Sequence, residues 1–203
     1  MVQRAYRPPF RFSRVKTCGD TQSQSAPDSL IDFNACNTSI RGLSGASFRM
    51  STREEAIVGP NSGETASITI RDCNNTEFIF DEPLQLLHAY NLVGCSIFIH
   101  GVRGSVHVSN SSGTSIKGYC SQLRITDCND IEVRVQTYSS TALVNSRNIR
   151  VGAPLEISES SHGNPNPDSI GFNKKEFLMS SRWKNVKDFD CLTENSPNWS
   201  FIQ

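Results

Sequence analysis

One column of turn-forming residues decides what this chain can fold into. Asp72, Asn91, Asn110, Asp127 and Asn145 follow one another at spacings of 19, 19, 17 and 18 residues. Two and four positions before them stand Ile70 and Ile68, Ala89 and Leu87, Val108 and Val106, Ile125 and Leu123, then Leu143 and Thr141. Four, six and eight positions after them the alternation resumes, from Thr76, Phe78 and Phe80 in the first unit to Ile149, Val151 and Ala153 in the last. Period two is the signature of a strand, whose successive side chains point to opposite faces. Strand, Asp/Asn turn and strand recurring at nearly fixed length predict stacked coils, a β-solenoid. An antiparallel sandwich also alternates short strands with turns, but it does not require one polar residue type at one repeated register. A single coil cannot bury its own inward face, so stability has to come from coil stacking on coil, with strands about 4.8 Å apart.

Both ends leave the repeat, as an array with two exposed edges requires. Residues 1–25, with Arg4, Arg7, Arg11, Arg14 and Lys16 around Pro8 and Pro9, are expected to form a flexible basic tail. Residues 26–203 are expected to form one domain. Its first coils are irregular, with Phe33, Ile40, Leu43, Phe48 and Ile57 available for burial. After Val151 comes a Ser/Gly/Asn/Pro-rich loop, Ser158 to Ser169, and then a segment holding Phe172, Phe177, Trp183, Phe189 and Trp199. Residues from about 155 to 203 are read as that loop and a packed C-terminal cap.

Twenty basic and twenty acidic residues balance to zero net charge, which points neither to nucleic acid nor to an anionic membrane, so any charge-dependent function must be local. Seven scattered cysteines, odd in number and never spaced C-x-x-C, support neither a disulfide framework nor a zinc site. The N-terminus has no apolar run for a signal peptide, Val2 stands where myristoylation needs glycine, and no stretch reaches transmembrane length. The expectation is a cytoplasmic monomer, without cofactor or metal. N-x-S/T matches at Asn37, Asn74, Asn110 and Asn198 are taken as chance in a chain rich in Ser and Asn.

Since Leu123 and Ile125 point inward, Gln122, Arg124 and Thr126 must point outward from the same strand. In the same register the outward neighbours are Leu86, His88 and Tyr90, then Ser105, His107 and Ser109, and on the other side Ser140, Ala142 and Val144; none is a carboxylate. An arginine on such a face is either a solvated surface residue or an anion site, for guanidinium offers fixed donors and a permanent charge. His88 and His107 share its column, as an incidental pair or a metal ladder. Cys73 and Cys128 follow Asp72 and Asp127 directly, which suits small buried residues at equivalent corners. Glu77 and Glu132 face outward on separate coils and do not form a glycosidase pair.

The run Cys120-Ser121-Gln122-Leu123-Arg124-Ile125 resembles the C-Q-Q-L-R-I segment of tubulin-folding cofactor C domains. The likeness continues through Thr141 to Asn145 and Asn148 to Val151. It is strongest where Trp183-Lys184-Asn185-Val186-Lys187-Asp188-Phe189 is followed by Ser196-Pro197-Asn198-Trp199-Ser200. This resemblance, over roughly residues 66 to 203, implies an all-β fold, a right-handed parallel β-helix with an irregular C-terminal cap. It implies a GTPase activator that supplies Arg124 in trans as an arginine finger, supported by Gln122, with no turnover site of its own. Thr126, His107 and Phe189 are the expected partner contacts, a buried cap position being the other reading of Phe189; Trp183 and Trp199 are expected to be cap packing. The implied partner is β-tubulin held with cofactors D and E, in the cytoplasm and at the cytoskeleton; an Arl-type small GTPase is the alternative, and a non-catalytic interaction module resembling the actin-binding β-helix of cyclase-associated protein is another. Two positions depart from the family: Ser121 replaces its first glutamine, and Val144 stands where an acidic residue is usual.

Overall fold

The computed structural model describes residues 10–14, 31–34, 37–52, 66–154, 182–191, 193 and 195–202. The loop read at Ser158 to Ser169 and most of the N-terminal tail lie outside them. The backbone runs β1 (Phe10–Arg14), β2 (Ile31–Asn34), β3 (Asn37–Arg41), β4 (Ser47–Thr52), β5 (Ser67–Asn74), β6 (Glu77–Phe80), β7 (Leu86–Val93) and β8 (Ser96–Ser109). It continues with β9 (Ser115–Thr126), β10 (Glu132–Thr137), β11 (Thr141–Val144), β12 (Ile149–Val151), a 3-10 turn (Arg182–Lys184), β13 (Val186–Asp188) and β14 (Trp199–Phe201). From β3 onward every pairing is parallel, apart from the two N-terminal pairs, and the chain is a β-solenoid.

Each rung contributes a strand to two faces. The first face stacks β3, β5, β7, the end of β8, the end of β9, β11 and β13; the second stacks β4, β6, the starts of β8 and β9, β10, β12 and β14. The repeat column supplies the corners. Asp72, Asn91, Asn110, Asp127 and Asn145 all have φ between 46° and 56°, the left-handed region that Asn and Asp tolerate best after glycine. A second column lies three residues further on: Asn75, Gly94, Gly113, Asp130 and Asn148, with φ between 45° and 64°. Each corner of this column is thus a pair of left-handed residues, of which the sequence pattern predicts only the first. The exposed amides tie rung to rung: Asn91 Nδ2 donates to Asp72 Oδ1 at 2.6 Å, and Asn145 Nδ2 to Asp127 Oδ1 at 2.5 Å.

The core is a set of ladders between those corners. Ile68, Leu87, Val106 and Leu123 align through successive pairings, as do Ile70, Ala89, Val108, Ile125 and Leu143, and all are buried. Full burial of one Leu, Ile or Val side chain contributes about 1.5–3 kcal/mol, so stacking is what holds a coil that has no core of its own. Cys73 and Cys128 are buried at equivalent corner positions, each thiol donating to the carbonyl two residues back at 3.1 Å. Phe48, Phe78 and Phe80 form an aromatic cluster in the early rungs, with centroids 6.1 to 6.5 Å apart. Of the other residues proposed for the first coils, Ile40 is fully buried and Leu43 packs against the core, while the side chain of Phe33 and all of Ile57 lie outside the description.

The open edge of the first described rung is covered by antiparallel strands, β2 on β3 and β1 on β4, which leaves those backbone groups paired. At the far end the cap continues the array: β13 adds parallel to β11 and β14 parallel to β12, while Trp183, Val186 and Trp199 pack against the core.

Candidate functional site

Strand β9 places the site because its alternation is locked on both sides. Leu123 and Ile125 are buried between Val106 and Val108 of β8 and Thr141 and Leu143 of β11, so Gln122, Arg124 and Thr126 face out as the sequence required. Pairing puts His107 on one side of Arg124 and Ala142 on the other, with His88 beyond His107. These residues line an open depression of about 490 Å³ together with Gln122, Ser105, Ser139 and Ser140. Arg124 and Gln122 are exposed, and among the described residues the guanidinium makes no hydrogen bond or ion pair.

The surroundings keep that charge isolated. His107 is held below the usual imidazole range by partial burial, by His88 and by Arg124, which makes it neutral at neutral pH. Its Nε2 lies 3.3 Å from Thr126 Oγ1, and its ring meets His88 edge-on at 5.8 Å. Among the described residues no group of three or more His, Cys, Asp or Glu side chains could hold a metal ion. Val144 pairs with Thr126, so the position where the family carries an acid lies diagonally across from Arg124 and holds an apolar side chain. Ser121, the other departure, donates its hydroxyl to the Arg103 carbonyl of β8 and so ties β9 to the neighbouring rung just before the site.

The C-terminal segment completes the face. Its pairing with β11 sets Lys187 beside Ala142, hence in the column of Arg124 with only a methyl group between them. Phe189 donates its N–H to the Leu143 carbonyl at 3.0 Å and leaves its ring 65% exposed, which excludes the buried cap position weighed for it. Trp183 and Trp199, by contrast, pack edge-on against Phe201 at 5.8 and 5.0 Å. Of the five residues expected at the site, Gln122, Arg124, Thr126 and His107 lie on one sheet face, and Phe189 sits in the turn directly after β13. Lys187 was not anticipated, although Val186-Lys187-Asp188 repeats the alternation of Thr141-Ala142-Leu143.

The pairing of Asp188-Phe189 with Ser196-Pro197-Asn198 has a structural cause. Asp188 stands in the inward column at the end of the array and accepts from Ser196 Oγ at 2.5 Å and Asn198 Nδ2 at 2.8 Å. The next acid, Asp190, accepts from the backbone N–H of Asn145 and so ties the segment to the last corner. Glu77 and Glu132 stand three rungs apart on the second face, roughly 14 Å by strand spacing, and Glu132 is engaged by Arg134 at 2.9 Å. That separation and pairing do not make a glycosidase site.

A family model described as tubulin binding cofactor C matches residues 65–189, well over half of the chain. Among solved structures, the tubulin binding cofactor C from Leishmania major is similar at 15% identity and a TM-score of 0.50, over 60% of this chain and 81% of that one, a likeness of fold. No curated protein matches.

Proposed function

Because the chain belongs to the tubulin binding cofactor C family, we propose that it serves in tubulin folding as a GTPase activator, supplying Arg124 in trans to a nucleotide bound by its partner. The observation that carries this reading is an exposed arginine, without a bonding partner among the described residues, held on a strand paired on both sides. Phosphoryl transfer from GTP places negative charge on the γ-phosphate oxygens and the leaving oxygen. A guanidinium introduced there, with water excluded by the docked surfaces, stabilises that charge by hydrogen bonds that strengthen toward the transition state. A rigid strand serves this better than a loop, since less ordering is needed when the partner docks. Gln122, one outward position along, would contact the partner beside the phosphates, and the exposed Phe189 gives the interface an aromatic anchor. The chain needs no cofactor or metal for this role.

β-Tubulin held with cofactors D and E is the first partner to test, which places the work in the cytoplasm and at the cytoskeleton, and an Arl-type GTPase is the second. Single-turnover GTP hydrolysis should be followed for each with wild-type protein and with Arg124→Ala. Arginine fingers contribute about 10³- to 10⁵-fold in rate, so the variant is expected to lose nearly all acceleration, and Arg124→Lys, which lacks the planar fork, most of it. Val144 in the acid's position favours a second reading, a module that binds without activating. Binding of either partner with hydrolysis unchanged by wild-type protein would replace the activator with that module.

A further inference from the structure

Carboxylates are sorted between the two faces, although the second also carries Lys117, seated 5.0 Å from the Phe98 ring centroid. On the second face the arginines are neutralised on the spot: Arg49 binds Asp81 at 2.5 Å, Arg134 binds Glu132 at 2.9 Å, and Arg150 lies 3.6 Å from the same carboxylate. On the first face the outward residues of β3, β5, β7, the ends of β8 and β9, β11 and β13 include Arg41, Arg71, Arg124 and Lys187, and no carboxylate. None of the four side chains makes a hydrogen bond or ion pair among the described residues. Asp72 and Asp127 sit at the corner that bounds the face, and Asp188 belongs to the inward column. Asp32, opposite Ser39 on β2, marks the other limit of the strip.

We infer that this face is a docking surface for an extended acidic segment of a protein partner, with Arg71 and Arg41 as its anchoring cations at one end and Lys187 at the other. The inference rests on the activator reading only for the partner's identity, since the segment would belong to the protein whose nucleotide meets Arg124. Surface ion pairs add about 0–1 kcal/mol each to folding, so the segregation of unpaired cations in a chain of zero net charge serves recognition better than stability. Seven strands at about 4.8 Å spacing give a strip of roughly 30 Å, which about nine extended residues would span. Four full charges over that length are sparse for nucleic acid, whose duplex carries one phosphate per ~1.7 Å. An anionic membrane would be met by a denser cluster of cations. A polypeptide with acidic residues spread among neutral ones fits the spacing.

The test is binding of a fluorescent nine-glutamate peptide to the full chain, measured by anisotropy at low and at high salt. Wild-type protein should bind the peptide and lose it with salt; Arg41→Glu/Arg71→Glu should weaken binding by about tenfold or more, as expected when attraction becomes repulsion at two sites. Arg71→Gln, which removes charge without reversing it, should lie between, while Arg147→Glu at a corner off the face should change binding by less than about twofold. Equal weakening by Arg147→Glu, or none by the double variant, overturns the surface. So does tighter binding of a nine-nucleotide single strand or of phosphatidylserine vesicles than of the peptide. The peptide carries no nucleotide, so the outcomes separate: peptide binding without stimulated hydrolysis retires the activator and keeps the surface, and stimulated hydrolysis without face-dependent peptide binding does the reverse.

Discussion

At the scale of single residues, the site depends on backbone choices made elsewhere in the same strand. Strand β9 carries Gly118 at φ +133°, in the inward column between Ile99 and Val135, before it reaches Arg124. A Cβ at Gly118 would lie 1.9 Å from the Ile99 carbonyl oxygen, so neither the conformation nor the space admits a side chain. Gly118→Ala is therefore expected to destabilise the protein by at least ~2 kcal/mol, because the clash is with backbone that cannot rotate away. Urea unfolding reads this directly: a shift in midpoint with unchanged slope is the expected result, and an unchanged midpoint would show that this kink is dispensable. Arg124 was legible for the opposite reason. Its neighbours Leu123 and Ile125 are apolar, so the phase of the strand, and with it the direction of the arginine, follows from three consecutive residues.

At the scale of elements, the C-terminal rung is held by a clasp as well as by strand pairing. Burial alone would raise the Asp188 carboxyl, but hydrogen bonds from Ser196, Asn198 and the Asp190 N–H hold it below the usual carboxylate range. A carboxylate depressed on folding contributes stability that is fully present above its unfolded value, about 3.9, and is lost as pH falls through the folded value. Acidification from neutral pH to below that value should loosen this rung, seen as a change in emission from Trp183 and Trp199, which pack beside it. Asp188→Asn should abolish that acid transition and weaken the rung at neutral pH; an unchanged transition would assign it to other carboxylates. The strands were legible from period two and the corners from one Asp/Asn column. The second corner column was harder to see because it mixes Gly, Asn and Asp, so residue type does not repeat although conformation does. Lys187 escaped because the long segment between Val151 and Arg182 breaks the near-constant repeat, and register across such an interruption is set by pairing with β11, not by spacing.

At the scale of the whole molecule, the solenoid makes stability a property of neighbours. Each rung touches only the rung before and after, so energy lost in the middle is felt on both sides and energy lost at an end stays there. The candidate site spans both situations: Arg124 lies on a rung covered above and below, while Lys187 rides on β13, with Phe189 directly after it, and among the described residues β13 pairs with β11 alone. Hydrogen exchange should therefore show the amides of β8 and β9 protected longest and those of β13 and β14 exchanging first. Leu123→Ala, a buried truncation costing about 2–5 kcal/mol, should lower protection throughout the array, whereas Val186→Ala should lower it only in the C-terminal segment. Uniform loss of protection in Val186→Ala would mean that the array unfolds as one unit. Local loss would mean that Lys187 and Phe189 can leave the face while Arg124 stays in place. The arginine would then be permanently presented, and the surface that surrounds it would be completed only when the last rung is closed.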